Sequence, residues 1–110
     1  MSCGRTLAWV TAGALTAGFA GTAVAVERAI EVCKEKGARR ALPLPVSAPF
    51  HSPLMAPARR GLEPIFNALD LHDLDVPVYR NVDAEPVRNT ADVRDGLIRQ
   101  VDAPVRWSQT

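Results

Sequence analysis

The sequence predicts an α/β protein, more narrowly an α+β piece, and three observations carry that reading. An amphipathic stripe at Val26, Ala29, Ile30 and Cys33 has helical spacing, two short runs at residues 41–46 and 76–79 read as strands, and further helical stretches follow each run. At 110 residues the chain has room for one small domain.

The elements follow in order. Residues 6–26 carry no charged side chain, Arg5 precedes them, and Ala23-Val24-Ala25 imitates a signal-peptidase site, so the start of the chain resembles a secretory leader. Read as a membrane span the run is poor, being rich in Ala, Gly and Thr. A competing reading places Gly21-Thr22 as a turn and N-cap opening a helix over residues 23–36. Glu27, Arg28, Glu31, Lys34 and Glu35 take its polar face, and Gly37 stops it. That helix would bury the cleavage pattern in its first turns, so export is not expected.

Leu42, Leu44 and Val46 alternate in residues 41–46, but Pro43 and Pro45 cannot donate to a ladder, which makes this an edge strand or an extended connector. Ser52-Pro53 reads as N-cap and first helical residue of a helix reaching Leu69, with Leu54, Leu62, Ile65, Phe66 and Leu69 inward. Pro64 is expected to kink or split it. After the strand at 76–79 comes a polar turn. Thr90 then caps a helix over 91–101, with Val93, Leu97 and Val101 on one side, and Asp102-Ala103-Pro104 ends it. Two short strands make a poor sheet alone, so the expectation is part of a larger domain.

Thirteen Lys and Arg stand against twelve Asp and Glu, and so balanced a charge gives no electrostatic case for nucleic acid. Cys3, Cys33, His51 and His72 show neither CxxC nor HxxxH spacing, so no metal site is expected. Asp70, Asp73 and Asp75 lack the glycine and closing glutamate of a calcium loop.

The stretch Pro45-Val46-Ser47-Ala48-Pro49-Phe50-His51-Ser52-Pro53-Leu54-Met55 resembles the histidine motif of the malonyl-CoA:acyl carrier protein transacylases and related acyltransferase domains. The likeness continues through Val76-Pro77-Val78-Tyr79-Arg80-Asn81-Val82-Asp83-Ala84, Leu97-Ile98-Arg99-Gln100-Val101 and Pro104-Val105-Arg106-Trp107. Upstream it takes in Ala20-Gly21 and Ala25-Val26-Glu27-Arg28-Ala29. It implies a fragment of an α/β-hydrolase-like acyltransferase domain, with residues 20–45 as the tail of its ferredoxin-like subdomain. Residues 1–19 stay unassigned and residues 20–110 form the partial acyltransferase domain.

The resemblance implies ping-pong transfer in fatty acid or polyketide synthesis. A serine takes malonyl from coenzyme A and passes it to the phosphopantetheine thiol of the carrier protein. His51 matches the histidine that serves as general base and then general acid. Phe50 matches a substrate-facing position, where its ring would crowd a C2 substituent and favour malonyl over methylmalonyl. The partners implied are acyl carrier protein and malonyl-CoA, a substrate and not a cofactor, with no nucleic acid and no membrane, in the cytoplasm. The exposed-looking pairs Arg39-Arg40 and Arg59-Arg60 suit an acidic carrier protein.

The departures are as plain. No Gly-His-Ser occurs in the chain, so the family's nucleophile elbow is missing. So are the segments that carry its malonyl-binding arginine and oxyanion-hole glutamine. A base with no serine has nothing to activate, and the chain is expected to be inactive alone. Two other readings stand beside this one: a non-catalytic module that binds carrier protein, and an unrelated small secreted protein with a signal peptide.

Overall fold

The computed structural model describes residues 7–12 and 15–110, in two compact units, one ending at Phe50 and the other beginning at His51. The expected boundary between residues 19 and 20 falls inside a strand of the first unit.

In the first unit, β1 (Leu7–Ala12) pairs antiparallel with β2 (Leu15–Ala20) on one side and with β3 (Arg40–Pro43) on the other, giving the order β2-β1-β3. Within the leader-like run, residues 7–12 and 15–20 form a β-ribbon, and residues 23–26 open the following helix. β3 lies at the edge of this sheet, the position in which proline is tolerated in a strand. Helix α1 (Ala23–Glu35) packs on β1 and β3. The Thr22 hydroxyl accepts from the Ala25 N–H at 3.3 Å as the N-cap, and Gly37 closes the helix at φ 91°, a conformation that suits glycine. Among the described residues of this unit the buried apolar ones are Ala8, Val26 and Ala41, one from each of three touching elements. Cys33 is half-buried and free.

In the second unit, a 3-10 turn (Pro53–Met55) runs into α2 (Ala56–Ala68), and Ser52, the residue ahead of the turn, is buried. Pro64 does not split the helix: α2 continues through it, forgoing only the hydrogen bond that proline cannot donate. The expected inward face is only partly covered. Leu62 and Phe66 are half-buried, whereas Leu54, Ile65 and Leu69 are exposed. Strands β4 (Val78–Tyr79) and β5 (Pro86–Val87) form a short hairpin, shorter than the run at 76–79 suggested, and Val87 is buried.

Helix α3 (Thr90–Arg99) packs against α2. Its cap is Asn89, one residue earlier than expected, and the Asn89 side chain accepts from the Asp92 N–H at 2.8 Å. Thr90 instead donates from its N–H and its hydroxyl to Asp73 Oδ1, at 2.8 and 2.9 Å, which ties the 71–75 segment to the start of α3. Arg94 donates to the carbonyls of Phe66 and Leu69 at the end of α2, and Arg59 near its start pairs with Asp102 beyond α3. The two helices thus run antiparallel with an arginine at each end of their contact. None of the described helices is long and apolar enough to cross a membrane.

Candidate active site around His51

His51 sits at the turn between the Pro-rich segment and the 3-10 helix, half-buried, with φ 58°. Left-handed backbone costs a non-glycine residue about 1 kcal/mol, and histidine tolerates it better than branched residues do. Such strain collects where a side chain must be aimed.

Here the aim is at a backbone carbonyl. The His51 Nδ1 lies 2.9 Å from the Gln100 oxygen, 49 residues further along the chain. A carbonyl can only accept, so Nδ1 must carry a proton, and in the neutral ring the lone pair is then on Nε2. The Gln100 N–H bonds back to Gly96, which makes this residue the C-cap of α3, and its own carbonyl is one of those a helix end leaves without an intrahelical partner. The negative end of the helix dipole therefore faces the imidazole. A neutral ring so held is oriented in one tautomer, the one whose basic nitrogen is Nε2.

A charged network anchors the part of α3 that precedes Gln100. Arg80 donates to Asp83 at 2.5 Å and approaches Asp95 at 3.6 Å, while Arg99 bonds both Asp83 and Asp95 at 2.7 Å. Partial burial pushes the Asp83 carboxyl up, but hydrogen bonds from Arg99, Arg80 and the Glu85 N–H outweigh it and hold it at about 2. The same contacts raise the Arg99 guanidinium above its usual range. Hydrogen bonds from the Thr90 N–H and hydroxyl lower the Asp73 carboxyl.

A cavity of about 520 Å³ opens beside this network, with Tyr79, Asn81, Leu97 and Gln100 among its lining. Its wall is mostly apolar.

The other expected residues are placed as follows. Phe50 ends the first unit and is 41% exposed. Arg39, Arg40 and Arg60 are exposed, whereas Arg59 is engaged with Asp102 at 3.3 Å. His72 is exposed. Among the described residues no group of three His, Cys, Asp or Glu side chains is placed to hold a metal, and Cys3 lies outside them. The residue the sequence reading passed over is Gln100. It contributes a backbone atom, which no side-chain pattern announces.

No family model matches the chain. A malonyl CoA-acyl carrier protein transacylase of Bacillus subtilis is 48% identical over 92 residues, 84% of this chain. The chain spans 29% of the length of that relative. Among solved structures, an acyl carrier protein S-malonyltransferase from Vibrio cholerae superposes with a TM-score of 0.84 at 33% identity, covering 94% of this chain and 42% of the other. A malonyl-transacylase in complex with its type II polyketide-synthase acyl carrier protein gives a TM-score of 0.85 at 31% identity, over 97% and 43%.

Proposed function

Starting from a chain homologous to part of the malonyl CoA-acyl carrier protein transacylases, we propose that it supplies the general base of malonyl transfer from coenzyme A to acyl carrier protein. The observation that carries this is the 2.9 Å contact from His51 Nδ1 to the Gln100 carbonyl. It leaves Nε2 as a base pointing away from its anchor, the arrangement that proton abstraction from a serine hydroxyl requires.

In this reading Nε2 takes the serine proton as the hydroxyl attacks the malonyl thioester, and returns it to the departing coenzyme A thiolate. The second half-reaction repeats the exchange with the phosphopantetheine thiol. The imidazolium formed midway is stabilised by the Gln100 carbonyl and the helix end behind it, which take the place a carboxylate holds in a Ser-His-Asp triad. Phe50, next to the base, is proposed to face the acyl group and to exclude a C2 branch. Acyl carrier protein is the proposed partner; the exposed Arg39 and Arg40 of the first unit, or the exposed Arg60 of the second, suit its acidic surface, while Arg59 is paired with Asp102. The proposed setting is the cytoplasm.

The sequence has no Gly-His-Ser, so the nucleophile must come from outside these 110 residues, and the chain alone should transfer no malonyl. Fusing the corresponding N-terminal portion of a homologous transacylase ahead of residue 20 should produce transfer. His51→Ala should then lower the acyl-transfer rate by roughly 10²–10⁴-fold. His51→Asn is the sharper variant, since asparagine accepts left-handed backbone and can donate to the Gln100 carbonyl, keeping the turn while removing the base. His72→Ala is the control and should change little. Transfer that survives His51→Asn would refute the role given to His51. Carrier-protein binding by a fusion without turnover would favour a non-catalytic binding module instead.

A further inference from the structure

Two chain segments must be held together for the His51 ring to reach its carbonyl. One leads from His51 through the 3-10 turn into α2, and the other leaves α3 at Gln100. Alongside the Nδ1 contact, an ion pair links these segments where they meet: Arg59 Nη1 to Asp102 Oδ1 at 3.3 Å. Arg59 lies in the first turns of α2, eight residues after His51, and Asp102 lies two residues after Gln100. The Asp102 side chain is only 16% exposed and that of Arg59 is 37% exposed, so the pair is shielded more than an ordinary surface ion pair.

We propose that Arg59 and Asp102 form a clamp that seats the His51 imidazole on the Gln100 carbonyl, which makes Arg59 a positioning residue for the proton transfer. This rests on the role given to His51 above, but its geometry stands apart from whether transfer occurs. The Nδ1 contact tolerates little drift: a hydrogen bond at 2.9 Å is lost within several tenths of an ångström. The Arg94 contacts pin the far end of α2 to α3, and the Arg59–Asp102 pair lies at the His51 end. Released, the turn at φ 58° can relax towards ordinary backbone and turn the ring away. The clamp also accounts for Arg59 differing from its neighbour Arg60, which is exposed.

The test reads the ring itself. In the 110-residue chain labelled with 15N-histidine, at about 10 °C and a pH where the rings are neutral, the two nitrogens of each histidine report which one carries the proton. Wild-type His51 should be held as the Nδ1–H tautomer, with exposed His72 showing the mixture of an unconstrained imidazole. Arg59→Met and Asp102→Asn should each move His51 towards the His72 pattern. Arg59→Lys, which keeps the charge but loses the fork, should fall between and guards against a variant that unfolds. The exchange Arg59→Asp with Asp102→Arg should restore the Nδ1–H form, which a general loss of stability would not do.

In an active fusion, Arg59→Met should lower kcat by up to about 100-fold with KM for malonyl-CoA little changed, as expected when a base is displaced by about an ångström. A His51 spectrum matching that of His72 in the wild-type chain would overturn the proposal. So would Arg59→Met, Arg59→Lys and Asp102→Asn spectra indistinguishable from wild type. A tautomer that follows the clamp in a fusion without activity would instead uphold the clamp and refute the transfer reading.

Discussion

Gly96 is buried beneath the Arg80 side chain: a Cβ built there would sit 2.5 Å from Arg80 Cδ. That arginine cannot swing aside freely, because Asp83, Asp95 and the Asp92 carbonyl hold its head. Gly96→Ala would gain about 1 kcal/mol of helix propensity, but overpacking a held neighbour costs about 1–3 kcal/mol, so a net loss of about 1 kcal/mol is expected in urea unfolding. Stabilisation instead would show that Arg80 yields easily. The Asp83 carboxyl at the centre of the same network gives a pH test. Its folded-state pKa lies below its unfolded value, so its contribution is complete above about pH 4 and is lost as pH falls through about 2. Asp83→Asn should lower stability at neutral pH and flatten the decline between those limits. An unchanged acid profile would mean that the network contributes nothing. Legibility at this scale was uneven for a physical reason. The neighbours of His51 in sequence set it apart, but its anchor is a peptide oxygen 49 residues away, which the fold alone brings near.

Elements were legible where local chemistry decides them. The Thr22 cap, the stripe through Val26 and Cys33, and Gly37 gave α1 nearly to the residue, because caps and glycine stops act within one turn. The strands at residues 7–20 were not legible. An uncharged run of Ala, Gly, Thr and a few large apolar residues fits a leader as well as a ribbon, and only pairing with β3, some 30 residues on, selects the ribbon. The inward face of α2 was overestimated because its apolar stripe is broader than the surface that α3 and the 3-10 turn cover. Pro64 persists inside α2 at an exposed position. Alanine is favoured over proline by about 3 kcal/mol in a helix interior, and roughly 1 kcal/mol of that returns through the freer unfolded chain. Pro64→Ala should therefore raise stability by about 1–2 kcal/mol in urea titrations. No gain would mean that the proline conformation is matched here by something other than helix geometry.

At the scale of the whole molecule, the buried apolar set among the described residues is short: Ala8, Val26, Ala41 and Val87. Two of these are alanines, whose burial yields little compared with a leucine or phenylalanine. Large apolar side chains meanwhile face solvent, among them Leu42, Leu54, Ile65, Val76, Val78 and Trp107, the last at 71% exposure. Apolar area of this kind contributes to stability only when it is covered, and among the described residues the β4–β5 pair has no further strand beside it to cover Val76 and Val78. Ordering a residue costs about as much here as in a better filled domain, so the margin left for folding must be smaller. The 110-residue chain should unfold in urea with a low midpoint and a stability below about 3 kcal/mol, beneath the usual 5–15 kcal/mol of small domains. It should be most ordered near 10–20 °C, where domain stability generally peaks. Fusion to the N-terminal portion of a homologous transacylase should raise the midpoint if that portion covers these residues, and Val78→Thr should then destabilise the fusion more than the chain alone. A sharp transition of several kcal/mol in the unfused chain would show that its small core suffices.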